Sequence, residues 1–413
     1  MISQWTWLAL TFFAFFLILE TLVEFLNLSK ITNKIPVEFQ HLYDPEKYRK
    51  SQSYLQTNTF FGLVSDHFHF FCFITFWLLS GFEWVDQLAR SYQWNSVLTG
   101  LLFFGILGYL QWMLALPFGI YHTFVIEKNF GFNKTTAKTY IGDQLKGLLL
   151  TCLIGAPILA AILWFFESFA GNAWLYVWIF LTVVTLFMMF IAPVTIMPLF
   201  NKFTPLEEGE LKSAINEFAK KENFYLQGIY KMDGSKRSTR ANAYFTGFGK
   251  FKRIVLFDTL IEKHTTEELV AILAHEIGHF KLKHIWRQLT LSLATSFVTL
   301  FIFNQLLQSP FLFEAFRVSQ PSVYAGLLFL SLLFSPISSI LSLWNLALSR
   351  KYEFEADEYS VRTYGKPLAL SEALKKLSVE NLSNLHPHPL KVFLEYTHPP
   401  VMKRTKVLES LKI

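Results

Sequence analysis

Uncharged runs cover residues 1–19, 67–82, 91–126, 147–166, 168–201, 288–313 and 318–349. A hydrocarbon core is crossed by about 20 consecutive apolar residues in helical form, and most of these runs are long enough. The pattern predicts seven membrane spans. The 67–82 run is the weakest and has to recruit its flanks. Pro336 predicts a kink in the last span, because proline removes a helical hydrogen bond. The first run lacks the basic leading segment and small-residue cleavage site of a signal peptide, so it reads as a retained helix. Glu20 and Glu24 interrupt the end of span 1, and Asp66, His67 and His69 sit at one end of span 2. Such groups either face the interior of a bundle or lie at the interface with water.

Between spans 5 and 6, roughly 201–285, the pattern changes. The segment TPLEEGELKSAINEFAKKENF has helical periodicity and dense charge. NAYFTGFGKFKRIVLFDTL then turns to β-branched and aromatic residues broken by Gly247 and Gly249, which predicts a hairpin over 242–257. HTTEELVAILAHEIGHFKLKH follows, with Thr265 and Glu268 at capping-box spacing for a long helix. No internal repeat or low-complexity tract is present.

Composition agrees with a membrane protein: 52% of the 413 residues are hydrophobic. Lys and Arg then set the orientation. With seven spans, the segments between spans 1 and 2, 3 and 4, 5 and 6, and after span 7 hold 5, 4, 15 and 11 basic residues, against two, Arg90 and Arg317, on the other side. By the positive-inside rule the amino terminus is outside and the 201–285 region is cytoplasmic. This asymmetry accounts for the net charge of +6, and nothing in the chain points to nucleic acid. Cys72 and Cys152 both fall in spans, which excludes a disulfide framework or a cysteine zinc site.

Within LAHEIGHF, His275 and His279 are four residues apart on one helix face, and both imidazoles can reach one ion. Glu276 stands beside them. The HExxH pattern is that of a zinc site whose glutamate acts as a base, and it needs a third protein ligand that leaves the fourth position for water. A third histidine six residues on is absent, since Leu282 and Ile285 occupy the positions that version requires. His284 misses by one residue and reads as solvated or hydrogen-bonded to a ligand. SRKYEFEADEYS, after span 7, offers Glu353, Glu355, Asp357 and Glu358. Glu353 and Asp357 share a face, so that one can bind metal while the other orients a ligating imidazole. Glu355 points about 200° away from Glu353 and reads, like Glu358, as part of a charged helix end.

Several stretches resemble the type-1 CAAX prenyl proteases, integral-membrane zinc endopeptidases. They are PFGIYHTFVIEKNFGFNKTTAKTY at 117–140, IMPLFNKFTPLEEGEL at 196–211, NAYFTGFGKFKRIVLFDTL at 242–260, AHEIGHFKLKH at 274–284, SRKYEFEAD at 349–357 and YTHPPVMKR at 396–404. The resemblance implies an all-α integral membrane protein, seven transmembrane helices forming a chambered barrel, with a small cytoplasmic α+β zincin-like catalytic region. It implies one zinc per chain held by His275, His279 and Glu353, with Glu276 as the catalytic base. His398 and Arg404 fall on positions that bind substrate or transition state, and Asn242 and Ala243 on a strand that holds the substrate backbone. A positioned imidazole such as His398 can donate to an oxyanion, and an edge strand can read an extended peptide.

The expected organisation is spans 1–5 over 1–200, the cytoplasmic catalytic region over 201–285, spans 6 and 7 over 286–349, and a carboxyl-terminal region with the third ligand over 350–413. The expected partners are a peptide or protein substrate, prenylated in this family, and membrane lipid, with no nucleic acid. A bacterial relative acting in membrane-protein quality control is a second reading. A transporter or lipid-binding scaffold with a structural zinc is a third, against which Glu276 argues, since a structural site needs no base. ESLKI at the carboxyl terminus has no dilysine retrieval signal, which favours a bacterial cytoplasmic membrane over the endoplasmic reticulum. The orientation is testable with an impermeant thiol reagent on sealed cells. Cysteines introduced near Ser91 and Gly171 should react, whereas one near Lys236 should not; labelling at Lys236 overturns the cytoplasmic assignment.

Overall fold

The computed structural model describes residues 3–247 and 252–411. Among them, seven helices are long and apolar enough to cross a membrane: Gln4–Leu28, Pro45–Leu78, Ser96–Asn129, Ala137–Ser168, Ala173–Phe200, His284–Leu306 and Val323–Tyr364, here spans 1 to 7. Local chemistry explains where they begin. The Ser3 hydroxyl accepts the Thr6 N–H at 3.1 Å, and Asp44 accepts the Lys47 N–H at 2.7 Å with Pro45 in the first turn. The weak 67–82 run recruits its upstream flank through that Asp44 cap, so span 2 reaches back to Pro45, and Gly81–Ser91 forms a separate helix.

Buried apolar side chains gather at two places. One cluster joins Trp77, Phe82, Phe316 and Phe329, at the connections between spans 2 and 3 and between spans 6 and 7. Its rings stack, Trp77 on Phe316 at 4.7 Å and Phe316 on Phe329 at 4.3 Å. The other includes Ile215, Leu256, Leu269, Val270 and Ile277, in the region between spans 5 and 6. Between the two, the spans bury little of themselves, 0–28% of each apolar window. Glu20, Glu24, Asp66 and His67 line a cavity of about 350 Å³ there, and His69 lines a neighbouring one of about 520 Å³ with Gln111 and Ser335. These polar groups therefore face the interior of the bundle, where Glu24 meets Lys391, His67 meets Thr21 and the Leu63 carbonyl, and His69 meets Ser65.

The region between spans 5 and 6 holds a four-stranded sheet of β1 (Phe203–Pro205), β2 (Gly228–Met232), β3 (Ala243–Thr246) and β4 (Arg253–Phe257), in the order β1-β2-β4-β3. β2 and β4 are parallel, and the other pairs antiparallel. The expected hairpin is β3 and β4, with Ala243 opposite Leu256. Residues 248–251, including Gly249, lie outside the described residues. β3 pairs with β4 alone among the described residues, so its other edge is open.

Against this sheet packs the helix Thr266–Lys281, which carries the HEIGH sequence. Its capping box is present: Thr265 accepts the Glu268 N–H at 3.3 Å, and Glu268 accepts the Thr265 N–H at 3.0 Å. Span 7 completes the site. Its 42 residues rise about 60 Å, twice the thickness of a hydrocarbon core, so its carboxyl-terminal part stands clear of the membrane. The helix runs unbroken through Pro336 and through the expected boundary at 349/350. Glu353 and Asp357 thus ride on the extension of a membrane span, against the HEIGH helix.

The two helices touch closely at Gly278. A Cβ there would lie 3.2 Å from the Ala356 Cα and 3.2 Å from the Tyr359 Cβ. Nearby, the Ser360 hydroxyl donates to the Ala271 carbonyl at 2.9 Å. Since backbone cannot give way as a side-chain tip can, Gly278→Leu should force the helices apart at a cost of about 1–3 kcal/mol. A lower denaturation midpoint in detergent, with reduced bound metal, is the expected result; an unchanged midpoint would place the pivot elsewhere.

Candidate metal centre

His275 and His279 lie one turn apart on the HEIGH helix, and Glu353 faces them from span 7. One ligand atom from each falls within 4.8 Å of the others. The two Nε2 atoms are 3.1 Å apart, and they approach the Glu353 carboxylate at 3.5 Å from His275 and 3.3 Å from His279. The hydrogen bonds behind the rings say which nitrogens are free. His275 Nδ1 is 2.9 Å from Asp357 Oδ1, which holds a proton on Nδ1 and leaves Nε2 as the inward nitrogen that a metal would take. Two imidazole nitrogens aimed at the same point are stabilised by a cation between them.

Charge points the same way. Glu353 and Asp357 are buried carboxylates that share one guanidinium, that of Arg404, and their charge favours a further cation beside them. Glu353 Oε2 is buried and accepts no well-directed hydrogen bond, although Arg404 Nη1 lies 2.9 Å away. Burial alone would lower the His275 imidazole, yet Asp357 and Glu353 outweigh it and lift it to about 9. Carboxylates that hold a positive charge this strongly suit a metal. The residues therefore fit the ion that the HExxH pattern requires.

Glu276 follows His275 on the helix, and burial pushes its carboxyl up against the pull of both imidazoles. That shift makes it a better proton acceptor near neutral pH. His398 arrives from the loop before the helix Val401–Ser410, with Nε2 3.3 Å from Glu353 Oε1 and Nδ1 2.8 Å from the Thr397 hydroxyl. Its ring is largely exposed at the rim of the site. Arg404, on that helix, is buried: Nε and Nη2 donate to Asp357 at 2.8 and 2.6 Å while Nη1 reaches Glu353. Any part it plays toward substrate runs through these carboxylates. Asn242 and Ala243 open β3, where the Asn242 carboxamide accepts the Ala243 N–H at 2.9 Å. Phe245 of β3 meets Phe280 of the HEIGH helix at 5.7 Å, so the open edge runs alongside the metal-binding helix.

One residue resolves between its two readings and another departs from expectation. His284 is 1% exposed, with Nδ1 3.0 Å from His279 Nδ1, which settles its two readings in favour of a hydrogen bond to the metal-binding histidine. Glu355 is not a merely charged helix end: its Oε2 lies 3.0 Å from His284 Nε2. The chain brings them together because Lys283, in left-handed conformation at φ 60°, turns the chain sharply between the HEIGH helix and span 6. Helical spacing within span 7 holds no trace of that corner. Glu358 stays exposed, as expected.

The comparisons with known proteins agree with this geometry. Residues 24–202 match the model of the CAAX prenyl protease N-terminal domain, with five membrane helices, and 205–412 match peptidase family M48. CAAX prenyl protease 1 of Saccharomyces cerevisiae is 33% identical, over 91% of this chain and 88% of its own. The human CAAX prenyl protease 1 homolog is 34% identical over 93% and 90%. The crystal structure of Saccharomyces mikatae Ste24p superposes with a TM-score of 0.93 at 32% identity, covering 98% of this chain and 99% of that one. The chain belongs to peptidase family M48, as an integral-membrane metalloendopeptidase of the CAAX prenyl protease 1 family.

Proposed function

We propose that this protein is a zinc endopeptidase that removes the last three residues of prenylated CAAX proteins, with its active site on the cytoplasmic face. The observation that carries the reading is the convergence of His275, His279 and Glu353 beside Glu276, at one end of a hollow, lipid-embedded barrel. The names of the relatives supply the substrate class. The basic asymmetry of 35 residues to two supplies the orientation.

In this reading His275, His279 and Glu353 hold the zinc, which when bound lowers the pKa of a water and polarises the scissile carbonyl. Glu276 takes the proton of the attacking water and delivers it to the leaving amine. His398 donates to the oxyanion of the tetrahedral intermediate from the exposed rim. Asp357 fixes the His275 ring, and Arg404 holds Asp357 and Glu353 at their helical spacing. The open edge of β3, beginning at Asn242 and Ala243, pairs with the extended substrate backbone.

A farnesylated CAAX peptide incubated with purified protein should lose its three terminal residues by mass spectrometry, and a zinc chelator should stop the reaction. Glu276→Gln should be inactive yet retain about one zinc per chain, while Glu353→Ala should lose both zinc and activity. Cleavage that persists in either variant would sink the assignment.

His398→Ala should lower turnover about 10²-fold or more with zinc retained, as for loss of an oxyanion donor. A rise confined to KM would make His398 a binding residue instead.

A further inference from the structure

His279, His284 and Glu355 form a chain of hydrogen bonds whose direction decides whether the second metal-binding histidine can bind at all. We propose that His284 and Glu355 are positioning residues that set the tautomer of His279, an inference that rests on His279 being a metal ligand as read above. The contact between His279 Nδ1 and His284 Nδ1, at 3.0 Å, can run in two directions. In one, His279 donates from Nδ1 and leaves an Nε2 lone pair facing His275 Nε2, 3.1 Å away. His284 then accepts at Nδ1, and its remaining proton sits on Nε2, pointing at Glu355 Oε2 at 3.0 Å. In the other, His284 donates from Nδ1 and turns a bare Nε2 toward the carboxylate. Two acceptors would then face each other at 3.0 Å, and His279 would carry its proton on Nε2, where the metal belongs. A carboxylate only accepts, so Glu355 selects the first arrangement.

Three features keep that selection in force. His284 is 1% exposed, so water cannot stand in for Glu355. The Tyr352 ring stacks on it at 4.2 Å with 9° between the planes, which fixes both nitrogens in direction. Arg287 and Lys351 lie 3.7 and 3.6 Å from Glu355 and hold its carboxylate in place beside His284. Each ligating imidazole thus ends in a carboxylate on span 7, His275 directly in Asp357 and His279 through His284 in Glu355. Span 7 supplies the third ligand and both terminal acceptors.

The test measures zinc affinity of the full-length protein in detergent, by competition with a chromogenic chelator. Cobalt(II) serves as a spectroscopic substitute that reports ligand geometry. Glu355→Leu, and His284→Phe, which keeps a ring against Tyr352 without its nitrogens, should each weaken zinc binding by about 10–100-fold. Both should shift the visible cobalt spectrum. Glu355→Gln, whose carbonyl still accepts, should restore affinity and spectrum toward those of the parent, and Glu358→Ala should leave both unchanged. If His284→Phe fails to fold, Glu355→Leu and its Gln counterpart decide alone, since the Glu355 side chain is 29% exposed. A parent that binds zinc, with Glu355→Leu binding equally tightly and giving the same cobalt spectrum, overturns the tautomer role and leaves the proposed function standing. A parent that binds no zinc overturns both.

Discussion

The close approach of the HEIGH helix to the carboxyl-terminal extension of span 7 is the constraint on which the site depends. Gly278 lets the two backbones meet at Ala356. On either side of that contact stand His275 and His279 on one helix and Glu353 and Asp357 on the other, each pair one helical turn apart. Bringing the helices this close sets the ligand atoms to within 4.8 Å of one another. A side chain at Gly278 would separate exactly the elements that must converge, so a small residue is a geometric requirement here.

That convergence concentrates charge where little water can screen it. Asp357 and Glu353 are buried, and neither would be tolerated ionised without partners. Arg404 meets both, bidentate to Asp357 and singly to Glu353. The same carboxylates thus serve packing and chemistry: Asp357 fixes the His275 ring, and Glu353 faces both imidazoles.

The membrane half is organised differently. Its spans are predominantly apolar, and in lipid burial between apolar faces contributes little drive for close packing. The aromatic cluster around Trp77, Phe316 and Phe329 joins them at one end and the sheet-bearing region at the other. A hollow between two packed ends allows polar groups such as Glu20, Asp66 and His67 to persist at membrane depth, facing a cavity.

Local chemistry alone determined much of this protein. Run length and charge made the spans legible, because crossing lipid imposes a minimum apolar length and basic residues mark one side. The capping box at Thr265 and the β-branched and aromatic residues of β3 and β4 located the HEIGH helix and the hairpin beside it. Helical spacing paired His275 with His279 and Glu353 with Asp357, since residues four apart share a face. What lay beyond local spacing was decided by the tertiary structure. That span 7 continues unbroken into the site, that Arg404 turns inward to two carboxylates, and that His284 joins His279 to Glu355 are all contacts between distant segments. The corner at Lys283 shows why: one residue in left-handed conformation redirects a whole helix, and periodicity within either helix holds no record of the turn between them.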